Sequence, residues 1–250
     1  MKHRISILIF IAITLAVYFL KGELRMYFVT LAIFGVVTFL GVTNMDFNWF
    51  LKSFISNPKA EERIVALTFD DGPTEFTPQF LDLLLAHQQK ATFFCVGTQI
   101  IKHPEIFNRT VTEGHEVGNH TFSHSKATGF LSTFRMKREI LRNDRVMLKK
   151  AGLTTDLYRP PFGITNPNIA RAISITGTKS IGWNIRSFDT AISNEKKILK
   201  RILPKIKPGS IILLHDTSDK SCRVLEEILL FLERENYKSV TVSELFNFKK

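Results

Sequence analysis

The stretch Val65-Ala66-Leu67-Thr68-Phe69 ends in two adjacent carboxylates, Asp70 and Asp71, before Gly72-Pro73 breaks the extended run. Two acids side by side repel when both are ionised. A cation, or separate tasks in proton transfer, relieves that repulsion. A polar Asp-Gly turn after a strand would account for the pair equally well on its own. Further along, Gly118-Asn119-His120-Thr121-Phe122-Ser123-His124 carries imidazoles four residues apart. On a helical turn they would project to one side and could hold one metal ion. Two histidines and a carboxylate, with a position open for water, make a hydrolytic metal site. In isolation, His-x-x-x-His reads more readily as two exposed histidines. The Asp-Asp pair at a strand end upstream turns the reading toward a metal.

The elements that must position these groups alternate in type. Extended runs fall at 64–69, 91–96, 115–119, 157–160, 179–185, 210–215 and 238–242, and helical patterns at 78–88, 104–113, 131–151, 166–176, 193–206 and 221–235. Thr77-Pro78 supplies a helix start, and Gly152 and Gly177 supply helix stops. This alternation predicts parallel strands with crossover helices, in a barrel or an open sheet. No dinucleotide-type glycine fingerprint or P-loop follows the first strand. Asp70 and Asp71, His120, Arg159, Arg186 and Asp189, and His215-Asp216 all fall at carboxyl ends of these strands. That is the face on which parallel α/β folds build their sites.

Five motifs then carry a resemblance: Thr68-Phe69-Asp70-Asp71-Gly72-Pro73, His120-Thr121-Phe122-Ser123-His124, Arg159-Pro160-Pro161-Phe162-Gly163, Trp183 to Thr190, and Leu213-Leu214-His215-Asp216. In order and content they resemble the NodB-homology polysaccharide deacetylases, carbohydrate esterase family 4. The resemblance spans nearly all of the chain after residue 63. It implies an α/β fold, a distorted and incomplete (β/α)7-type barrel. It assigns Asp71, His120 and His124 to one divalent metal ion, usually zinc. Asp70 becomes the base, His215 the acid that protonates the leaving amine, and Arg159 the partner that keeps Asp70 ionised. Leu213 would line the acetyl-methyl pocket, or be ordinary strand core, or both. Phe162, Trp183, Arg186 and Asp189 complete the expected substrate-binding set. The fourth motif departs from the family pattern Asp-x-x-Asp-Trp. Arg186 stands where relatives often carry an Asp that tunes the acid histidine, and Thr190 replaces a groove-lining Trp.

The front of the chain is different in kind. Two uncharged apolar runs, about 5–20 and 26–45, flank the polar elbow Lys21 to Arg25 and predict a membrane hairpin within residues 1–45. A cleaved signal peptide and a buried core hairpin are the competitors, but no small-x-small site follows Leu20, and the faces are apolar all round rather than striped. Residues 46–62 read as an aromatic interfacial segment, Phe47 to Phe54, and a linker; residues 63–250 read as the deacetylase domain. Lys2 and Arg4 before the hairpin, with Lys52, Lys59 and Arg63 after it, place both ends in the cytoplasm. The family mostly works outside, so the side of the multi-pass cell membrane stays open. The 250 residues are 44% hydrophobic with a formal charge of +11. That charge suits an acidic polymer or anionic lipid, but the absence of an RNA-binding motif, zinc-finger spacing and dense basic runs argues against nucleic acid. Cys95 and Cys222 offer no disulfide framework. No protein partner can be inferred. The reading is a membrane-anchored, metal-dependent deacetylase acting on an N-acetylated glycan. An ester or non-sugar amide hydrolase on the same fold, and a non-catalytic sugar-binding module, are the alternatives.

Overall fold

The structure, a computed structural model, describes residues 2–248; the expected limits at residues 1 and 250 lie outside them. Helices α1 (Lys2–Phe19) and α2 (Leu24–Thr43) form an antiparallel hairpin, with Phe10 stacked on Phe34 at 4.5 Å. Their surfaces are apolar all round: Ile5, Leu8, Phe28 and Ile33 are each more than half exposed, and only Val17 and Gly41 are buried. Both helices are long and apolar enough to cross a membrane, a test that a signal sequence also meets.

The chain then runs β1 (Ser53–Phe54), β2 (Ile64–Asp70), α3 (Thr77–Ala86), β3 (Ala91–Cys95), α4 (Gly97–Lys102), α5 (Pro104–Thr112) and β4 (Glu116–Asn119). It continues through α6 (Thr133–Ala151), β5 (Leu157–Tyr158), α7 (Pro167–Thr176), β6 (Lys179–Ile181) and β7 (Ile185–Arg186). Helix α8 (Glu195–Ile202), β8 (Ile211–His215), α9 (Asp219–Arg234), β9 (Lys238–Ser239) and α10 (Val242–Phe246) complete it. Local chemistry sets the ends. The Ser132 hydroxyl accepts from the Arg135 N–H to start α6, and Gly152, at φ +65°, stops it. Asn166 caps α7 ahead of Pro167.

All strand pairs in this nine-stranded sheet are parallel, in the order β1-β6-β5-β4-β3-β2-β8-β7, with β9 pairing beside β2. The central strand β2 is buried at every residue but its first, as a parallel strand covered on both faces must be. Strands β6 and β7 lie near opposite ends of this order, yet only Gly182-Trp183-Asn184 separate them in sequence. In a flat sheet they would stand about 29 Å apart. A link of that length reaches about 14 Å. The sheet therefore curls until its ends approach, and the uncrossed seam between β6 and β7 leaves the barrel incomplete.

Several expectations change here. The run 179–185 splits into two strands, because its middle residues turn from one end of the curled sheet to the other. Strand β5 stops at Tyr158, short of Pro160-Pro161, which cannot donate to a ladder. Part of the stretch 46–62 packs on the domain that follows. Ser53 and Phe54 pair with Ser180 and Ile181, and the Asn57 N–H donates to the Gly209 carbonyl at 2.8 Å. Helices α4 and α10 were not anticipated.

Candidate active site

Asp70 ends β2 and is 4% exposed. Its Oδ1 accepts from Arg159 Nη1 at 2.7 Å. Arg159 has no exposed surface, so each of its donors needs a partner. Nη1 also donates to Thr68 Oγ1 at 2.8 Å, Nη2 to the Gly182 carbonyl at 2.9 Å, and Nε to the Ile181 carbonyl at 3.2 Å. The guanidinium lies 4.0 Å over the Phe94 ring. Burial pulls the Arg159 pKa down and the Asp70 carboxylate opposes that; the net direction is down. A guanidinium nevertheless stays charged across any working pH. The seam residues Ile181 and Gly182 thus aim the arginine that holds Asp70.

Asp71, His120 and His124 offer ligand atoms all within 4.8 Å of one another. Asp71 Oδ1 is 3.3 Å from His124 Nε2 and 3.6 Å from His120 Nε2. The His120 Nδ1–H donates to the Arg159 carbonyl at 2.8 Å, and a carbonyl only accepts. That fixes the tautomer and leaves the Nε2 lone pair aimed at the cluster, the usual support for a metal-binding histidine. The His-x-x-x-His segment is not helical. It is a loop after β4 in which Thr121 (φ +67°) and His124 (φ +45°) are left-handed. The Thr121 N–H donates to Asn119 Oδ1 at 2.8 Å, and Asn143 Nδ2, from α6, donates to the Thr121 carbonyl at 2.9 Å. These bonds hold a conformation that β-branched residues avoid. Asp71, Phe162 and Phe188 are left-handed as well, so backbone strain gathers around this one site. The His124 pKa is pulled down, chiefly by burial and then by the neighbouring His120, with Asp71 and Asp70 opposing.

His215 ends β8 and is the ladder partner of Asp70. Its Nδ1–H donates to Asp189 Oδ1 at 2.8 Å and its backbone N–H to Asp189 Oδ2 at 2.9 Å. Its Nε2 lies 4.0 Å from Asp71 Oδ2. Burial lowers the His215 pKa; the hydrogen bond and charge of Asp189, with Asp70 and Asp71, outweigh it and raise the value to about 9. Asp189 was expected to bind substrate. It has no exposed surface, and its oxygens also accept from Ser187 Oγ at 2.7 Å and Ser221 Oγ at 2.8 Å. A carboxylate so occupied cannot meet a ligand; it orients and charges His215 instead. Burial opposes its ionisation, but these bonds and the His215 charge hold its pKa below the usual value.

These groups open onto a pocket of about 390 Å³. Phe162, Trp183, Arg186 and Leu213 line it, as does His215. The Phe162 ring packs at a tilt against His124, with centroids 4.8 Å apart. Leu213 is 2% exposed, so it serves both core and pocket wall. The Arg186 guanidinium lies 4.5 Å over the Phe188 ring and 5.6 Å over Trp183. Thr190 lines the pocket at the position where relatives often carry a groove-lining Trp; sequence reasoning missed Phe188 and Ala191 as lining residues, and missed the supports Asn119, Asn143, Ser187 and Ser221. Such supports are small polar residues whose role exists only once distant strands meet.

Residues 57–181 match the polysaccharide deacetylase family profile, half of the chain. A peptidoglycan-N-acetylglucosamine deacetylase of Bacillus cereus is 36% identical over 75% of this chain and 90% of its own length. The chain belongs to the polysaccharide deacetylase family. The peptidoglycan-N-acetylglucosamine deacetylase PgdA of Listeria monocytogenes is 34% identical over 77% of the chain, which spans only 41% of that longer protein. The solved structure of the peptidoglycan deacetylase PdaC from Bacillus subtilis superimposes with a TM-score of 0.70 at 33% identity, covering 76% of this chain and 92% of that one. The curled parallel sheet is the family's incomplete barrel, as the motifs implied.

Proposed function

We propose that this chain is a membrane-anchored, metal-dependent deacetylase that hydrolyses the N-acetyl group of an N-acetylated sugar. Peptidoglycan or a related N-acetylglucosamine glycan is the substrate class, as in the named relatives. One observation carries the reading. Two hydrogen-bonded pairs suited to proton transfer, Asp70 with Arg159 and His215 with Asp189, flank the same Asp71-His120-His124 cluster.

The cluster's donor set of two imidazole nitrogens and one carboxylate oxygen, with the His120 tautomer already set, fits a zinc-like divalent ion. Such an ion, when bound, supplies Lewis-acid polarisation of the acetamide carbonyl and makes water more acidic. The chain's own residues do the rest. Asp70, held in place by the Arg159 hydrogen bond, accepts the proton of the attacking water. His215, charged through Asp189, gives its Nε2 proton to the leaving amine, which an amide requires. Phe162, Trp183 and Leu213 form apolar walls for the acetyl group and the sugar ring, and Arg186 adds charge at the rim. The hairpin α1–α2 would hold this pocket near the bilayer.

The test is acetate release by the full chain in detergent, on N-acetylglucosamine oligomers, O-acetylated xylan and a cyclic amide. Turnover of the first alone supports the reading, and turnover of xylan alone replaces it with an esterase. Metal analysis accompanies it: His124→Ala should lose the bound divalent ion. Equal metal content in both proteins would remove the assignment. Asp70→Asn should keep the metal and lose roughly 100-fold or more in rate.

A further inference from the structure

A groove of about 760 Å³ lies between the first turns of α1, the Phe50–Phe54 segment and α7. Arg4, Lys52, Arg171 and Lys179 line it, and no Asp or Glu does. Lys179 pairs with Asp156, but among the described residues Arg4, Lys52 and Arg171 form no ion pair. Arg171 is held by neutral groups, Asn168 Oδ1 at 2.7 Å and Thr133 Oγ1 at 3.3 Å. His3 Nδ1, also at this groove, is shielded from solvent and has no hydrogen-bond partner. The remaining lining sets the apolar Ile7, Phe50 and Ile173 beside the hydroxyls of Ser174, Thr178 and Ser180. Ile7 stands one helical turn beyond His3, about 6 Å farther along α1. The groove therefore joins a set of cationic side chains to the apolar flank of a candidate membrane helix.

We propose that this groove binds one anionic phospholipid of the bilayer that receives the hairpin, a proposal that rests on the membrane-anchor reading. The headgroup phosphate meets Arg4, Lys52 and Arg171, and the acyl chains follow the exposed Ile7 and Ile11 along α1. Charge complementarity selects the occupant. A zwitterionic lipid brings its own cation and leaves part of this charge unmatched, and a neutral glycan satisfies none of it. The apolar wall excludes a free phosphate as the fitting ligand, because most of the groove would stay wet and empty.

The full chain is purified in detergent and titrated separately with phosphatidylglycerol and phosphatidylcholine, with bound lipid read by native mass spectrometry. Phosphatidylglycerol should be retained selectively. R4Q/R171Q should bind it about 30-fold more weakly, each near-surface cation contributing about fivefold. R4K/R171K should recover most of that affinity, and K149Q/K150Q, at the exposed end of α6, should leave it unchanged. Equal retention of the two lipids, or an R4Q/R171Q variant as avid as K149Q/K150Q, overturns the proposal. So does displacement by glycerol phosphate at lipid-equivalent concentration. Thermal melts of each variant separate loss of binding from loss of fold. Alkaline carbonate extraction of membranes is run in parallel. Release into the soluble fraction defeats the anchor reading itself, whereas retention without lipid selectivity defeats only the groove.

Discussion

A carboxylate with no exposed surface needs its lone pairs occupied, and Asp189 meets that need with the His215 ring, the His215 N–H and the Ser187 and Ser221 hydroxyls. Its hydrogen bond and charge, with help from Asp70 and Asp71, raise His215 from an ordinary 6.5 to about 9 against the pull of burial. Asp189→Asn removes that charge and leaves the burial. The acid form of His215 should then be lost at lower pH, and the alkaline limb of kcat/KM should move down when both proteins carry the same metal. The stability sign agrees. A raised folded pKa contributes stability that is full below about 6.5 and lost as pH rises through about 9. In Asp189→Asn that loss across the alkaline window should shrink, as chemical denaturation at pH 6 and pH 9 would show. A limb that stays put in the variant would return the tuning role to another residue. Arg186, the residue that departs from the family motif, stacks on Phe188 and Trp183, while His215 takes its bonds from Asp189. Arg186→Ala should therefore raise KM for carboxylate-bearing glycans about fivefold, the scale of one exposed charge contact. Its kcat, and its KM for neutral oligomers, should stay near wild type.

At the scale of elements, the strands that carry the site were legible because parallel strands buried on both faces leave long apolar runs, and Val65 to Phe69 is such a run. The polar residues at their carboxyl ends stood out against that background. The His120–His124 loop was misjudged as a helical turn. Spacing alone does not reveal that Thr121 and His124 adopt left-handed conformations, which depend on Asn119 and on Asn143 from α6. The role of Asp189 was hidden for a similar reason, since its partner His215 arrives on another strand. Strand β1 was too short to leave a pattern. Its Phe54 packs edge-on against Phe246 and Phe248, at 5.2 and 5.1 Å, and covers the rim of β6. Phe54→Ala should cost about 1–2 kcal/mol, below the loss for a fully buried ring, measured as a lowered urea midpoint with an unchanged slope. A chain shortened to begin at residue 60 loses this strand whole and should melt earlier still.

At the scale of the molecule, the hairpin's two ends meet beneath the domain: the His3 N–H donates to the Trp49 carbonyl at 3.3 Å, and the Trp49 ring covers Gly41. The Thr165 N–H also donates to the Val42 carbonyl at 3.0 Å, joining α2 to the loop that follows the Arg159 motif. The base of the hairpin and the pocket rim are thus one packed unit. The register of the sheet adds a different consequence. Asp70 and His215 face each other as ladder partners on β2 and β8, and Asp189 reaches His215 from the segment beside them. Their spacing is set by backbone pairing across the sheet, and the covalent chain between them is slack. Gly152 and Thr154 are exposed in the turn after α6, while β4 and β5 pair across that turn. A protease nick between those two residues should therefore leave a two-fragment complex that co-elutes in detergent and still releases acetate. Continuity of the polypeptide is then needed to assemble the catalytic apparatus but not to keep it, and complementation of the separated halves would measure how much of the enzyme is held by pairing alone.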